Sequence, residues 1–319
     1  MRVLAAPDKF RGTLSARKAA AAIAAGAARA GWECDELPLA DGGEGTLDVL
    51  GGGNQTTVVT GPLGEPVEAV WRLEGGAALI EAAQACGLTL AGGAEGNDPL
   101  NATSRGVGEL IAAAIEAGAH RVIVTVGGVA STDGGVGATE ALRPFLPLRA
   151  PLVVACDVDA GLLDAADVFA PQKGATPEQV AVLRERLESL DIPDVPMAGA
   201  AGGLAGGLAA IGAHLISGFD VVAGELGLDA KLAAADLVVT GEGLVDATSL
   251  AGKVVGGVLA RAAATGVETL VVAGDVVTNP PFDAVSLVAL CGRERALADS
   301  AACIAEVVEK ELRGRTRTA

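Results

Sequence analysis

Positive charge is scarce in this 319-residue sequence, where 23 lysines and arginines face 40 aspartates and glutamates for a formal charge of −17. A chain so acidic offers no broad basic face for nucleic acid or for an anionic membrane surface. If its ligand is itself an anion, the few cations must be concentrated locally, or a metal ion must supply the missing charge. Cysteine is sparse and unpaired: Cys34, Cys86, Cys156, Cys291 and Cys303 are odd in number, show no CxxC spacing, and have only two histidines to accompany them. That excludes a disulfide framework and a zinc site, and it predicts reduced thiols in a cytoplasmic protein. Pro7 and Asp8 interrupt the N-terminal apolar run too early for a signal-peptide core.

Low-complexity polar tracts are also missing, and hydrophobic residues make up 50% against 20% charged, so the whole length can bury a core. Residues 196–219 carry no formal charge and contain small residues four apart. Their Ala/Gly composition, their acidic flanks Asp194 and Asp220, and the lack of basic or aromatic anchors favour a glycine-rich turn entering a buried helix over a membrane span. Two nucleotide signatures are absent as well. The single Gly-Lys pair, Gly252–Lys253, has Ala247 where a P-loop needs glycine, and Gly241-Glu242-Gly243 is followed by Asp246 where a dinucleotide fingerprint needs its third glycine.

What is present is a repeated unit: a short β-branched run, a loop of glycine and carboxylate, then an alanine-rich helical stretch. Val3–Ala5 is a predicted strand before PDKFRG, and Ser15 a predicted N-cap for a helix reaching Ala30. Strands are likewise predicted at Leu37–Ala40 before DGGEGT, Arg121–Val126 before GGVASTDGG, Ala235–Thr240 before GEGLVD and Thr269–Ala273 before GDV. Such alternation predicts parallel, doubly wound α/β sheets, with ligands beyond the carboxyl ends of the strands. Between Thr56 and Glu81 three strand-like runs lack intervening helices, which predicts an antiparallel insert. The expected organisation is a discontinuous Rossmann-like domain, residues 1–60 and 230–319, enclosing a second α/β domain at 61–229.

Glycine lets a loop backbone approach a phosphate, and three loops have the composition for it: Gly127–Gly137, Gly199–Gly207 and Gly241–Gly243. Asp8, Asp41, Glu44, Asp133, Asp157, Glu242, Asp246 and Asp275 fall at or just after predicted strand ends, where one or two carboxylates could hold Mg²⁺ with phosphate oxygens and waters. Of only six lysines, Lys9, Lys173 and Lys253 stand in these loops or beside a glycine, and with Arg11 they could hold a carboxylate or phosphates. His120, entering a strand, and His214, expected on an apolar helix, read as structural. The residues alone indicate an enzyme for an anion or phosphate that uses a metal.

The motifs PDKFRGTLSA, LADGGEGT, NDPLNATSRGVGELI, GGVASTDGG, ACDV, FAPQKGAT, GAAGGLAGGL and ADLVVTGEGLVD resemble, in that order, those of the type I glycerate kinase family. The resemblance spans nearly the whole chain. It implies two α/β domains, ATP and Mg²⁺, and conversion of D-glycerate to a phosphoglycerate, with the 2-phospho product expected. Carried onto this sequence, it gives Asp8, Lys9, Arg11 and Asp246 as catalytic residues. Asp41, Gly42, Gly43, Glu44, Gly127, Gly128, Ser131, Asp133, Gln172, Lys173 and Lys253 would bind substrate or phosphate, and Asp157 and Glu242 the metal. The chain departs from the family pattern at Val129, Thr132 and Leu244, the last in place of an arginine. Phosphorylation of another small hydroxy acid, or ligand binding by a catalytically weakened relative, therefore stay open at this level. The expected partners are small molecules, with no nucleic acid or membrane, and a homodimer is compatible with the sequence.

Overall fold

The structure is a computed structural model describing residues 1–10, 12–193, 195–246, 249, 253–277 and 280–316. Arg11, Ala247 and Gly252 lie outside them. The chain forms two compact units, Met1–Asp41 with Phe219–Ala319, and Gly42–Gly218. Residues 42–60, expected in the first domain, thus belong to the second, and 219–229 to the first. The physical reason for the former is pairing: Gln55–Thr60 runs antiparallel to Pro66–Glu74 and cannot be separated from it.

The first unit carries a five-stranded sheet in the order β11-β10-β9-β1-β2, all parallel: β1 Arg2–Ala5, β2 Glu33–Glu36, β9 Leu237–Val245, β10 Glu268–Val276 and β11 Ala284–Ser286. Alternate residues of its central strands enter different cores, as period-two side chains require. Leu237, Val239, Leu270 and Val272 join Ile23, Ile304 and Val308 from the helices Ala16–Arg29 and Ser300–Thr316. Val271 and Ala273 pack instead with Val255 of the helix Val254–Thr265. The sheet is therefore covered on both faces. Ser15 caps the first helix, its side chain accepting from Lys18 N–H, so the predicted start is observed.

The second unit is built on a six-stranded sheet in the order β3-β4-β5-β6-β7-β8. Its strands are β3 Gln55–Thr60, β4 Pro66–Glu74, β5 Ala77–Glu81, β6 Arg121–Thr125, β7 Leu152–Cys156 and β8 His214–Ser217. The first two pairings are antiparallel, as expected for the insert, and the remaining three parallel. Ile80, Val124 and Val154 are fully buried against Leu110 and Ile111 of the helix Arg105–Glu116 and Leu204 and Leu208 of Leu204–Ala210. Each such side chain contributes about 1.5–3 kcal/mol of burial.

Several expectations are corrected. Residues 37–40 are not a strand; β2 is the preceding four residues and ends at Glu36. Gly241–Gly243 is not a loop but part of β9, and Gly274–Val276 part of β10. The reason is close pairing: a Cβ on Gly241 would lie 1.8 Å from the Val272 carbonyl oxygen, so glycine serves sheet packing there. His214 opens β8 rather than lying on a helix. The glycine-rich turn into a buried helix is found, the helix being Leu204–Ala210. No helix among the described residues is long and apolar enough to cross a membrane.

Candidate functional site

In the first unit, three neighbouring strands bring carboxylates together at their carboxyl ends. Past β1 the chain stays in register with both neighbours: Asp8 N–H donates to the Gly241 carbonyl (2.9 Å), and Leu39 N–H to that of Pro7 (2.9 Å). Continued three residues past Ala5, the β1–β9 register sets Asp8 opposite Glu242, and the charges of Asp41 and Glu242 both act on its carboxyl. Asp8 is buried, and the loss of water, with the Asp41 charge next in weight, pushes its carboxyl up to about 7. Lys9 pulls the other way, and Lys9 N–H donates to Asp8 Oδ1 at 2.7 Å.

Glu242 is also raised, first by burial, with Asp246 and Asp41 adding to the rise and Ser249 and Lys253 opposing it. Ser249 bridges the cluster, its Oγ accepting from Asp246 N–H at 3.1 Å while hydrogen-bonded to the Glu242 carboxylate. The other Glu242 oxygen, Oε1, is buried without a hydrogen-bond partner. A buried carboxylate oxygen left so is costly, and a cation is the group that would satisfy it. Mg²⁺ needs only one or two carboxylates from a protein. The residues thus fit that ion, although among the described residues no three His, Cys, Asp or Glu side chains already form a metal-ligand cluster.

In the second unit, the carboxyl ends of the four parallel strands β5 to β8 receive the DGGEGT loop. A Cβ on Gly42 would stand 2.7 Å from the Gly218 Cα and 3.2 Å from the Ala155 oxygen, and one on Gly127 2.6 Å from the Gly43 Cα. No other residue type fits such backbone-on-backbone contact. Asp157, just past β7, has Oδ2 only 3.1 Å from that position on Gly127. Glu44 is exposed on this loop, and Gly128 is exposed beyond β6.

Lys173 lies nearby in the fold of this unit but far in sequence. It is buried, 8% exposed, and its Nζ donates to the Ser131 carbonyl oxygen at 2.6 Å. Burial draws its ammonium down to about 8, with Cys86, Asp133 and Asp157 opposing. The same burial pushes the Cys86 thiol up to about 12. Asp133 is heavily engaged: its carboxylate accepts from Ser104 N–H (2.9 Å), Ser104 Oγ (2.8 Å), Gly135 N–H (3.1 Å) and Gly137 N–H (3.2 Å). It organises the loop with all its acceptor capacity on protein donors. Gln172 is exposed on the same short turn as Lys173.

The structure thus gathers Asp8, Lys9, Asp41, Glu242, Asp246 and Lys253 in the first unit. Gly42, Gly43, Gly127, Ser131, Asp133, Asp157 and Lys173 lie on loops of the second. Arg11 is outside the described residues. Sequence reasoning missed Ser249, Ser104 and Asn97, whose Nδ2 donates to the Ala130 and Lys173 carbonyls at 3.2 and 2.9 Å. It also missed Glu81, whose signal was available as a lone carboxylate closing an apolar strand.

The fold is a two-unit α/β architecture, with carboxylates gathered at the strand ends of the first unit. The chain belongs to the glycerate kinase family, whose model matches residues 3–146 and 147–313, and it is accordingly a kinase. It is 38% identical over 305 residues to the glycerate 2-kinase of Escherichia coli K12, covering 80% of each chain. To the glycerate kinase of Bacillus subtilis 168 it is 38% identical over 327 residues, covering 86% of this chain and 85% of the relative. A crystal structure from Salmonella typhimurium LT2, described as a glycerate kinase 2, superposes with a TM-score of 0.84 at 34% identity, covering 100% of this chain and 99% of that one.

Proposed function

We propose that this kinase transfers the terminal phosphoryl group of ATP to the 2-hydroxyl of D-glycerate and requires Mg²⁺. The family supports the reaction class, and the names of its relatives support the acceptor. The observation that carries the assignment of the site is the partnerless buried oxygen of Glu242 beside Asp8, Asp41 and Asp246. Glu242 and Asp246 would hold the ion, and Asp157 remains a proposed ligand by its position after β7. When bound, the cation offsets phosphate charge that this acidic chain has few residues to meet.

The remaining steps fall to side chains and backbone. Phosphoryl transfer depends on positioning and charge neutralisation more than on a strong base. Asp8 orients the acceptor hydroxyl and takes its proton, the role suited to a carboxyl held near neutrality. Lys9, Arg11 and Lys253 supply positive charge to the carboxylate of the acid or to phosphate. Asp41, Gly42, Gly43 and Glu44 form the acceptor loop. Gly127, Gly128, Ser131, Gln172 and Lys173 form the phosphate cradle, with Asp133 holding its shape. Leu244, 46% exposed where the resembling motif has arginine, is the position that favours a different hydroxy acid.

One assay tests the reading. Purified protein is incubated with Mg·ATP and a panel of hydroxy acids, ADP is followed, and the product is examined by phosphorus NMR. ADP with D-glycerate and a 2-phospho product is expected; ADP with another acid alone, or binding without turnover, overturns the acceptor assignment.

A further inference from the structure

Glu81 ends β5 at 3% exposure, in a strand whose Ala78, Leu79 and Ile80 are also buried. A carboxylate is placed there only if its oxygens are occupied. They are: Oε1 accepts from Gly45 N–H at 3.1 Å and Oε2 from Leu47 N–H at 3.0 Å, so the side chain grips the backbone of a segment more than thirty residues earlier. That segment is the DGGEGT loop and the first turn of the short helix Thr46–Val49 that follows it. Gly42 and Gly45 have φ of +90° and +96°, a region closed to most residues, and glycine backbone is the most expensive to order. Inside the loop, Thr46 Oγ1 donates to the Gly43 carbonyl at 2.7 Å. Glu81 is the charged tie between this glycine backbone and the sheet.

We infer that Glu81 is a positioning residue for phosphoryl transfer: it fixes the conformation of the loop from Gly42 to Thr46 and so sets the loop's affinity for the acceptor acid without touching it. This rests on the proposal that the loop binds glycerate. The two N–H groups it takes stand at the start of the short helix Thr46–Val49, where the helix backbone offers them no acceptor, so Glu81 supplies the partners that hold this turn against the loop. A displacement of about an ångström in such a cradle is enough to change rates by one to two decades.

The experiment measures steady-state kinetics of wild type, Glu81→Gln and Glu81→Ala with Mg·ATP and D-glycerate, alongside amide hydrogen exchange of the wild type. Glu81→Gln keeps one acceptor and turns the other into a donor facing an N–H. It is expected to raise KM for glycerate by about tenfold with KM for ATP changed by less than about twofold, and Glu81→Ala to exceed it. A merely structural role would lower the active fraction and the melting temperature and leave both KM values alone, which would overturn the positioning role. Protection of the Gly45 and Leu47 amides is expected in the wild type, and exchange at the intrinsic rate overturns the inference even if both variants fail to fold. Absence of glycerate-dependent ADP from wild type overturns the functional reading, and the positioning role with it. Normal wild-type turnover with unchanged KM values in Glu81→Gln overturns the positioning role alone.

Discussion

The Nζ of Lys173 donates to the carbonyl oxygen of Ser131 at 2.6 Å, joining two loops 42 residues apart through a buried ammonium. Its charge is held against the loss of water by Asp133 and Asp157 and by a backbone dipole, and its pKa falls from 10.5 to about 8. The charged form is therefore less favourable in the folded than in the unfolded chain. Below about pH 8 lysine is protonated in both states and this cost is constant. Between about 8 and 10.5 the unfolded chain binds more protons, so the stability associated with Lys173 rises with pH.

Compared with Lys173→Met, wild type should gain relative stability across that window by up to about 3 kcal/mol, the equivalent of roughly two and a half pKa units. Chemical denaturation of both proteins from pH 7.5 to 10.5 measures it. A difference that stays flat would mean that Lys173 is not buried as a cation.

Asp133→Ala removes the shared acceptor of Ser104, Gly135 and Gly137 and leaves several donors in a partly buried loop unmatched. Stability should fall by about 2–4 kcal/mol, since hydrogen bonds to a charged group are worth about 1.5–3 kcal/mol and the donors are only partly rehydrated. Urea unfolding provides the number. Loss of activity with unchanged stability would instead place Asp133 on the ligand.

Gly241→Ala places a methyl group 1.8 Å from the Val272 carbonyl oxygen, where the obstacle is the backbone of a central strand. The two strands must part, so we expect a loss of more than about 2 kcal/mol or failure to accumulate as folded protein. Gly224→Ala, which meets nothing within 4 Å, is the control and should change stability by less than about 1 kcal/mol. Equal behaviour of the two variants would refute the packing role assigned to Gly241.

Much of the architecture was legible because local chemistry and tertiary contacts agree. Ser15 opens a helix, β-branched runs make strands, and the glycines at 42, 43 and 127 mark close backbone approach at strand ends. The misreadings occurred where a local signal has two physical causes. Glycine at 241 reads as a loop, yet it relieves a clash between paired strands. Residues 37–40 have strand composition, yet the ladder to β1 thins into single bonds such as Leu37 N–H to Ala5 O and Leu39 N–H to Pro7 O. The discontinuous division was legible, but the boundary near residue 60 was misplaced because Gln55–Thr60 pairs with Pro66–Glu74 and so goes with the second unit. The partnership of Glu81 with Gly45 and Leu47 is of the same kind: the carboxylate was visible, its addressee was not.

Glu242 offers the sharpest separation between a structural carboxylate and a metal ligand. Glu242→Gln keeps the size of the side chain and its link to Ser249 while removing the negative charge. If the unpartnered Oε1 serves a cation, the Mg²⁺ concentration for half-maximal activity should rise by at least about tenfold, with kcat at saturating Mg²⁺ affected less. Stability should move the opposite way. Burial and neighbouring carboxylates raise both Glu242 and Asp8 above their unfolded values, so the metal-free fold loses stability as pH climbs from about 4 towards 7. Removing one of the charges relieves that repulsion, and the metal-free Glu242→Gln protein should melt above metal-free wild type at pH 7. Added Mg²⁺ should stabilise wild type and leave the variant nearly unmoved, closing the gap. Melting curves with EDTA and with Mg²⁺, read beside the activation curves, test both halves; a variant that melts lower without metal and keeps the wild-type Mg²⁺ requirement would show that Glu242 supports β9 and nothing more.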